Sequence, residues 1–195
     1  MFEKITKQLI ENLNIKPQII ALDGSGFSSD YADKYYLKIR GYNVKHYTKC
    51  HITIDVESRI ILYSQAVRGP RHDTKFAIAV IRSLKKYNVQ YIIADKAYDT
   101  EPIRNCINEE IKALDQIPLK ANFKHGWYRR LSQKIFKKEI YSRRNNVESI
   151  FSVIKRKFRG INKSKSTRLR NKETRLKTLV YNIVQYIKIS QRIST

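Results

Sequence analysis

The sequence predicts an α/β protein built around an open sheet, and three observations lead there. Two apolar runs, QIIALD at residues 18–23 and VQYIIAD at 89–95, are too short for helices, and each ends in an aspartate. Between them lies an alternating stretch broken by a turn, which reads as a hairpin. Helical periodicities then separate and follow the strands, the pattern of an α/β layer fold. A length of 195 residues suits one domain, and a hydrophobic fraction of 42% is enough to bury a real core.

Taken in order, residues 2–13 pattern as a short helix with Phe2, Ile5, Leu9 and Ile10 on one side, ended by Pro17. The run at 18–23 is a buried strand, expected to stop at Gly24-Ser25-Gly26. Residues 27–47, rich in Tyr and Lys, read as irregular. Over 47–67 two strands flank a turn at Glu57-Ser58. Ile52, Ile54 and Val56 alternate with Thr53 and Asp55, the mark of a half-exposed strand, and Ile60-Ile61-Leu62 begins the return. Asp55 and Glu57 flank the turn and need no function. A helix follows from 73 or 74 to 87, capped by Asp73 beside a loop His72, with Phe76, Ile78, Val80, Ile81 and Leu84 as core candidates. After the second buried strand, Asp99-Thr100-Glu101-Pro102 starts a helix expected to reach residue 110, with Asp99 as its cap. A strand at 113–119 comes next. Residues 120–140 are basic and carry no clear pattern; Trp127 and Tyr128 there read equally as base-stacking side chains or as core.

Tyr141 to Lys157, YSRRNNVESIFSVIKRK, is the informative stretch. Val147, Ile150, Phe151, Ile154 and Phe158 form one helical stripe, which puts Glu148, Ser152, Lys155 and Arg159 on a neighbouring narrow face. From Gln116 onward the acids number three, Glu139, Glu148 and Glu173. Two readings of Glu148 stand side by side: an ordinary solvent-edge glutamate, or a carboxylate placed to bind a metal with cations beside it for phosphate. A loop rich in Lys, Arg and Ser leads to a last helix. Its repeat, Leu176, Leu179, Val180, Ile183, Val184 and Ile187, reads first as core and second as a homodimer contact.

Forty Lys and Arg against 17 Asp and Glu give a formal net charge of +23, which calls for a polyanionic partner, nucleic acid before a membrane surface. Residues 155–177 alone hold eleven Lys or Arg and one Glu, a one-sidedness that phosphate contact explains better than a solvated face does. Cys50 and Cys106 make neither a metal spacing nor a disulfide framework, which fits a reducing setting. No stretch reads as a signal peptide or as a membrane span.

In an open α/β sheet, ligands bind at the carboxyl ends of strands. If the strands ending in Asp23 and Asp95 are parallel neighbours, their carboxylates meet at one edge, and a helix packed across it adds Glu148. Three acids so close repel unless a cation lies among them. Oxygen ligands without His or Cys suit magnesium or manganese. Two such ions, about 3.5–4 Å apart, are the recurring arrangement for phosphodiester chemistry.

Tyr141, Arg144, Glu148 and Lys155 stand at gaps of two, three and six residues. This resembles the Tyr-Arg-Glu-Lys signature of bacterial and archaeal insertion-sequence transposases of the DDE type. Asp23 in IALDGSG is similar to that family's first Asp, and Asp95 in IIADKAYDT to its second. His72-Asp73 and Tyr181-Asn182 are similar too. The resemblance runs from about Ile19 to Ile187 and implies an RNase H-like catalytic domain over 17–195, behind a short helix in 1–16. Its implied sheet is mixed and five-stranded, flanked by helices and followed by a C-terminal helix. It implies that Asp23, Asp95 and Glu148 are catalytic and hold two magnesium or manganese ions. Tyr141, Arg144 and Lys155 are implied to contact DNA, with Arg156 and Arg159 beside them. The implied partner is double-stranded DNA, transposon ends and target, in a prokaryotic cytoplasmic, nucleoid-associated protein. The short interval between Asp95 and Glu148 leaves no room for the large β-rich insertion of some relatives. Too few residues precede the first strand for a helix-turn-helix module, so the family's N-terminal end-binding region is expected to be lacking, and Ala97 replaces a frequent Gly. A non-autonomous or inactive DNA-binding remnant is therefore the alternative.

Overall fold

A computed structural model of the chain describes residues 2–29, 39, 41, 47–69, 74–121 and 125–193; His72 and Asp73 lie outside them. The elements are α1 (Phe2–Asn12), β1 (Ile19–Ser29), β2 (Thr48–Asp55), β3 (Ile61–Arg68), α2 (Thr74–Arg82) and β4 (Tyr91–Ala94). Then come α3 (Glu101–Asn105), β5 (Leu114–Gln116), α4 (Trp127–Ile135), α5 (Lys138–Ser142), α6 (Asn145–Phe158), β6 (Ile161–Asn162) and α7 (Thr167–Ile193). The sheet order is β3-β2-β1-β4-β5, antiparallel among β1, β2 and β3 and parallel among β1, β4 and β5. This is the RNase H-like architecture the resemblance implies, with one addition: the two-residue β6 pairs with the end of β1 as a sixth strand.

Strand alternation sorts the sheet into two buried faces. Ile20, Leu22, Ile92 and Ala94 share one core cluster with Val80, Ile81 and Leu84 at α2 and Ile103 of α3. Ala21, Ile52, Ile54 and Ile93 share the other with Val147, Ile150, Phe151 and Ile154 of α6 and Leu179 of α7. Phe2 of α1 joins the second cluster and Ile10 the first.

Several expectations are corrected. β1 does not stop at Gly24-Ser25-Gly26; its ladder with β2 continues from Asp23↔Ile52 to Phe27↔Thr48. Glycine suits that ladder at Gly26, where a Cβ would come within 3.3 Å of the Tyr47 ring. β2 is buried on both sides rather than half-exposed, because helices cover both faces: Ile52 packs toward α6, and the His51 ring lies 5.4 Å from that of Phe76 in α2. The helix after Thr100 reaches as far as expected, to Ile111, but it is α-helical only over Glu101–Asn105 and widens into a π turn, Cys106–Ile111, that keeps Ile103, Cys106 and Ile107 all in the core.

Asp99 is no cap. Thr100 occupies that position, and the Asp99 carboxylate, 0% exposed, accepts from Arg104 Nε (3.0 Å), Arg129 Nε (2.9 Å) and the Lys120 N–H (2.8 Å). Burial pushes its carboxyl up, but those donors outweigh burial and hold it below its ordinary value. Trp127 is not core: it stands 74% exposed at the start of α4. In the last helix Leu179 is buried, but Leu176, Ile183 and Ile187 face outward. The inward face is polar because α7 covers β3, the edge strand, whose backbone needs partners. Asn182 supplies them: its Oδ1 accepts from the Ile61 N–H and its Nδ2 donates to the Ile61 carbonyl, both at 2.8 Å. Among the described residues no helix is long and apolar enough to cross a membrane.

Candidate active site

The site is built where β1 and β4 part. Their parallel register runs from Ile19↔Tyr91 to Leu22↔Ala94, so Asp23 and Asp95 follow side by side. Asp95 keeps an extended backbone (φ −66°, ψ 159°) before a single helical turn, Lys96–Tyr98. Ala21 and Ile93, two residues earlier on each strand, belong to the cluster beneath α6. Alternation therefore turns both aspartates to that face.

α6 lays its stripe of Val147, Ile150, Phe151 and Ile154 on this face. Its next face then looks along the sheet end. Glu148, Phe151, Ser152, Lys155 and Arg156, with Asp23, Gly24 and Ser25, line a cavity of about 600 Å³. Acids occupy one end of α6 and cations the other. Lys155 is half-buried and lines the cavity wall, its Nζ 5.6 Å from the Phe27 ring centroid, so the ring face attracts its charge.

Burial raises the Asp23 carboxyl above its ordinary value. The Gly24 N–H, donating at 2.8 Å, and the Arg144 guanidinium pull it back, while the Asp95 and Glu148 charges push it further up. Asp23 thus feels the charge of both other acids. Arg144 Nη2 donates to Glu148 Oε1 at 2.6 Å, and Nη1 lies 3.5 Å from Asp23 Oδ2. Among the described residues no three His, Cys, Asp or Glu side chains already surround one point as a metal cluster does; Glu148 is drawn to Arg144. The donor set fits a hard divalent ion nonetheless. It offers carboxylate oxygen, the cavity wall carries no His or Cys, and the charge on Asp23 is opposed by two further acids.

Of the other residues that the sequence singled out, Tyr141 stays beside Arg144, whose N–H its carbonyl accepts at 2.9 Å, while Arg159 does not line the cavity. Tyr141 packs on Phe136, ring centroids 5.4 Å apart, and Arg159 lies past the end of α6 in a left-handed backbone (φ 65°). Within the cationic run, Lys177 is 9% exposed and donates to the Arg159 and Ile161 carbonyls and to Asn162 Oδ1, so it closes the end of α6 rather than meeting solvent. Ser25 was missed because Gly-Ser-Gly reads as a break. Ser152 carried a signal, its place on the Glu148 face, but no chemistry to single it out.

The family model described as "Transposase DDE domain" matches residues 14–183, most of the chain. No curated protein matches it.

Proposed function

The chain belongs to the transposase DDE domain family, and from that premise we propose that it is a transposase catalytic domain that cuts transposon ends and joins them to target DNA. One observation carries the reading: the β1–β4 register sets Asp23 beside Asp95 at the sheet end that α6 covers with Glu148. The catalytic unit we assign is 17–195, with the helix in 1–16 packed onto it.

In the first step a water oxygen bonds to phosphorus at the transposon end, and the bond from phosphorus to the 3′ oxygen breaks, leaving a 3′ hydroxyl. In the second, that hydroxyl oxygen attacks a target phosphorus and displaces the target's own 3′ oxygen, so one phosphodiester replaces another. Magnesium or manganese ions, a pair in the expected arrangement, would lower the pKa of the attacking hydroxyl and neutralise the leaving oxygen. Asp23, Asp95 and Glu148 would hold them. Lys155 and Arg156, across the cavity from the acids, would bind phosphate oxygens and keep the attack in line. Tyr141, whose ring rests on Phe136 and whose carbonyl accepts from the Arg144 N–H at 2.9 Å, would contact DNA together with Arg144 and help to place it.

A second reading has one observation in its favour: Glu148 bonds to Arg144, as it could in a remnant that binds DNA without cutting it. One experiment separates them. Purified chain with manganese should nick or join short duplexes carrying the element's ends. Glu148→Gln should lower that rate by about 10³-fold or more, roughly 4 kcal/mol of transition-state stabilisation, while DNA affinity stays within about twofold. Cleavage that survives Glu148→Gln, or wild-type chain that binds DNA and never cuts it, rejects the proposal.

A further inference from the structure

Arg144 is four residues ahead of Glu148, and such pairs on a helix surface are commonplace. Two features set this one apart. The guanidinium also reaches Asp23, on a strand distant in sequence, and it is the sheltered member: its side chain is 17% exposed against 53% for Glu148. The two acids share one fixed cation, and each takes a different nitrogen of the same fork.

A magnesium or manganese ion needs its carboxylate oxygens at about 2.0–2.1 Å in near-octahedral geometry. With Nη2 2.6 Å from Glu148 Oε1 and Nη1 3.5 Å from Asp23 Oδ2, the guanidinium already fills the space between those oxygens. A second positive centre there would face both its bulk and its charge. We propose that Arg144 and a divalent ion bind the Asp23–Glu148 pair in alternation, so that loading the ion frees the guanidinium for a DNA phosphate. This rests on the metal reading above and adds to it an order of events.

Two consequences follow from linkage. The ion must displace an intramolecular cation, so its apparent affinity is weaker than that of the bare carboxylates by the fraction of time Arg144 lets go. A phosphate that draws Arg144 away must, by reciprocity, tighten ion binding. Lys155 and Arg156 would contact DNA in either arrangement, whereas the Arg144 contact would form on loaded protein. A site wired in this way relieves the repulsion of its acids while it waits and grips the strand most firmly when it can cut.

The test is manganese binding to the full chain by calorimetry, without DNA. Arg144→Gln should bind manganese about tenfold more tightly than wild type, with Arg144→Lys between them because lysine lacks the two-pronged fork. Equal or weaker affinity in Arg144→Gln overturns the exchange. If wild-type binding nevertheless disappears in Asp23→Asn and Glu148→Gln, the metal reading stands without it. No manganese binding by wild type or Arg144→Gln overturns both. Should Arg144→Gln fail to fold, wild type decides: the side-chain Nε–H resonance of Arg144, assigned through Arg144→Lys, should move and sharpen on saturation with magnesium. A resonance indifferent to magnesium overturns the proposal.

Discussion

Asp99 is a carboxylate without solvent, tolerable because three donors converge on it. Arg104, equally buried, carries the network onward to Asp115, Ser132 and the Ile117 carbonyl, and Asn108 Nδ2 donates to the second Asp115 oxygen. Two arginines balance two aspartates, so no net charge is stranded. The network's place matters for function: Asp99 ends the single turn that begins after Asp95, and Arg129 of α4 is tied to its carbonyl as well as its carboxylate. Asp99→Ala should cost about 3–5 kcal/mol, because it leaves Arg104 buried beside a lost partner. Urea unfolding measures it, and a loss under about 1 kcal/mol would mean that packing rather than charge docks α4.

Among elements, α7 shows how an amphipathic helix can hide its orientation. Its inward side carries Thr174, Lys177, Thr178 and Asn182, all buried, and Asn182 treats β3 as a neighbouring strand would. Asn182→Leu keeps the volume but strips partners from the N–H and C=O of Ile61. At about 1–3 kcal/mol for each orphaned group, the variant should lose roughly 2–6 kcal/mol and speed hydrogen exchange at the Ile61 amide. Unchanged exchange would show that this edge is protected without the helix. The same chemistry explains what could be read beforehand. Elements that bury apolar stripes were legible: β1, β4 and α6 each declared themselves, and with them Asp23, Asp95 and Glu148. Elements held by polar contacts were not. α4 docks through Arg129, Ser132 and the Tyr128 N–H, which Glu101 accepts at 2.8 Å; Trp127, Leu131 and Ile135 do fall at helical spacing, but its buried residue is Ser132, so that spacing does not mark the docked face. α7 was seen, but its outward stripe passed for its core face. Nor could spacing show that Arg144 would face two acids, since Asp23 reaches it only through the fold.

For the whole molecule the governing quantity is charge. A chain at +23 repels itself, and its acids are largely committed to internal partners, as Asp99, Asp115 and Glu173 are. Of the cationic run, Lys177 is buried and Arg170 is half-buried with its Nη1 on Ser29 Oγ, so these two serve the fold. Lys163, Lys165, Arg168 and Lys172 are exposed and join Arg156 as candidates for phosphate. With Lys155, about six phosphate contacts give a slope near −5.4 for log affinity against log salt, so raising salt from roughly 50 to 200 mM should weaken duplex binding by ~10³-fold. Lys155→Ala should reduce that slope by about one and weaken every duplex alike, since phosphate carries no sequence. Fluorescence anisotropy with two unrelated duplexes reads both effects. A flat salt dependence would remove the phosphate basis of binding altogether. A Lys155→Ala loss confined to one sequence would instead make Lys155 a reader of bases, and the cation end of the cavity would then choose the DNA rather than merely hold it.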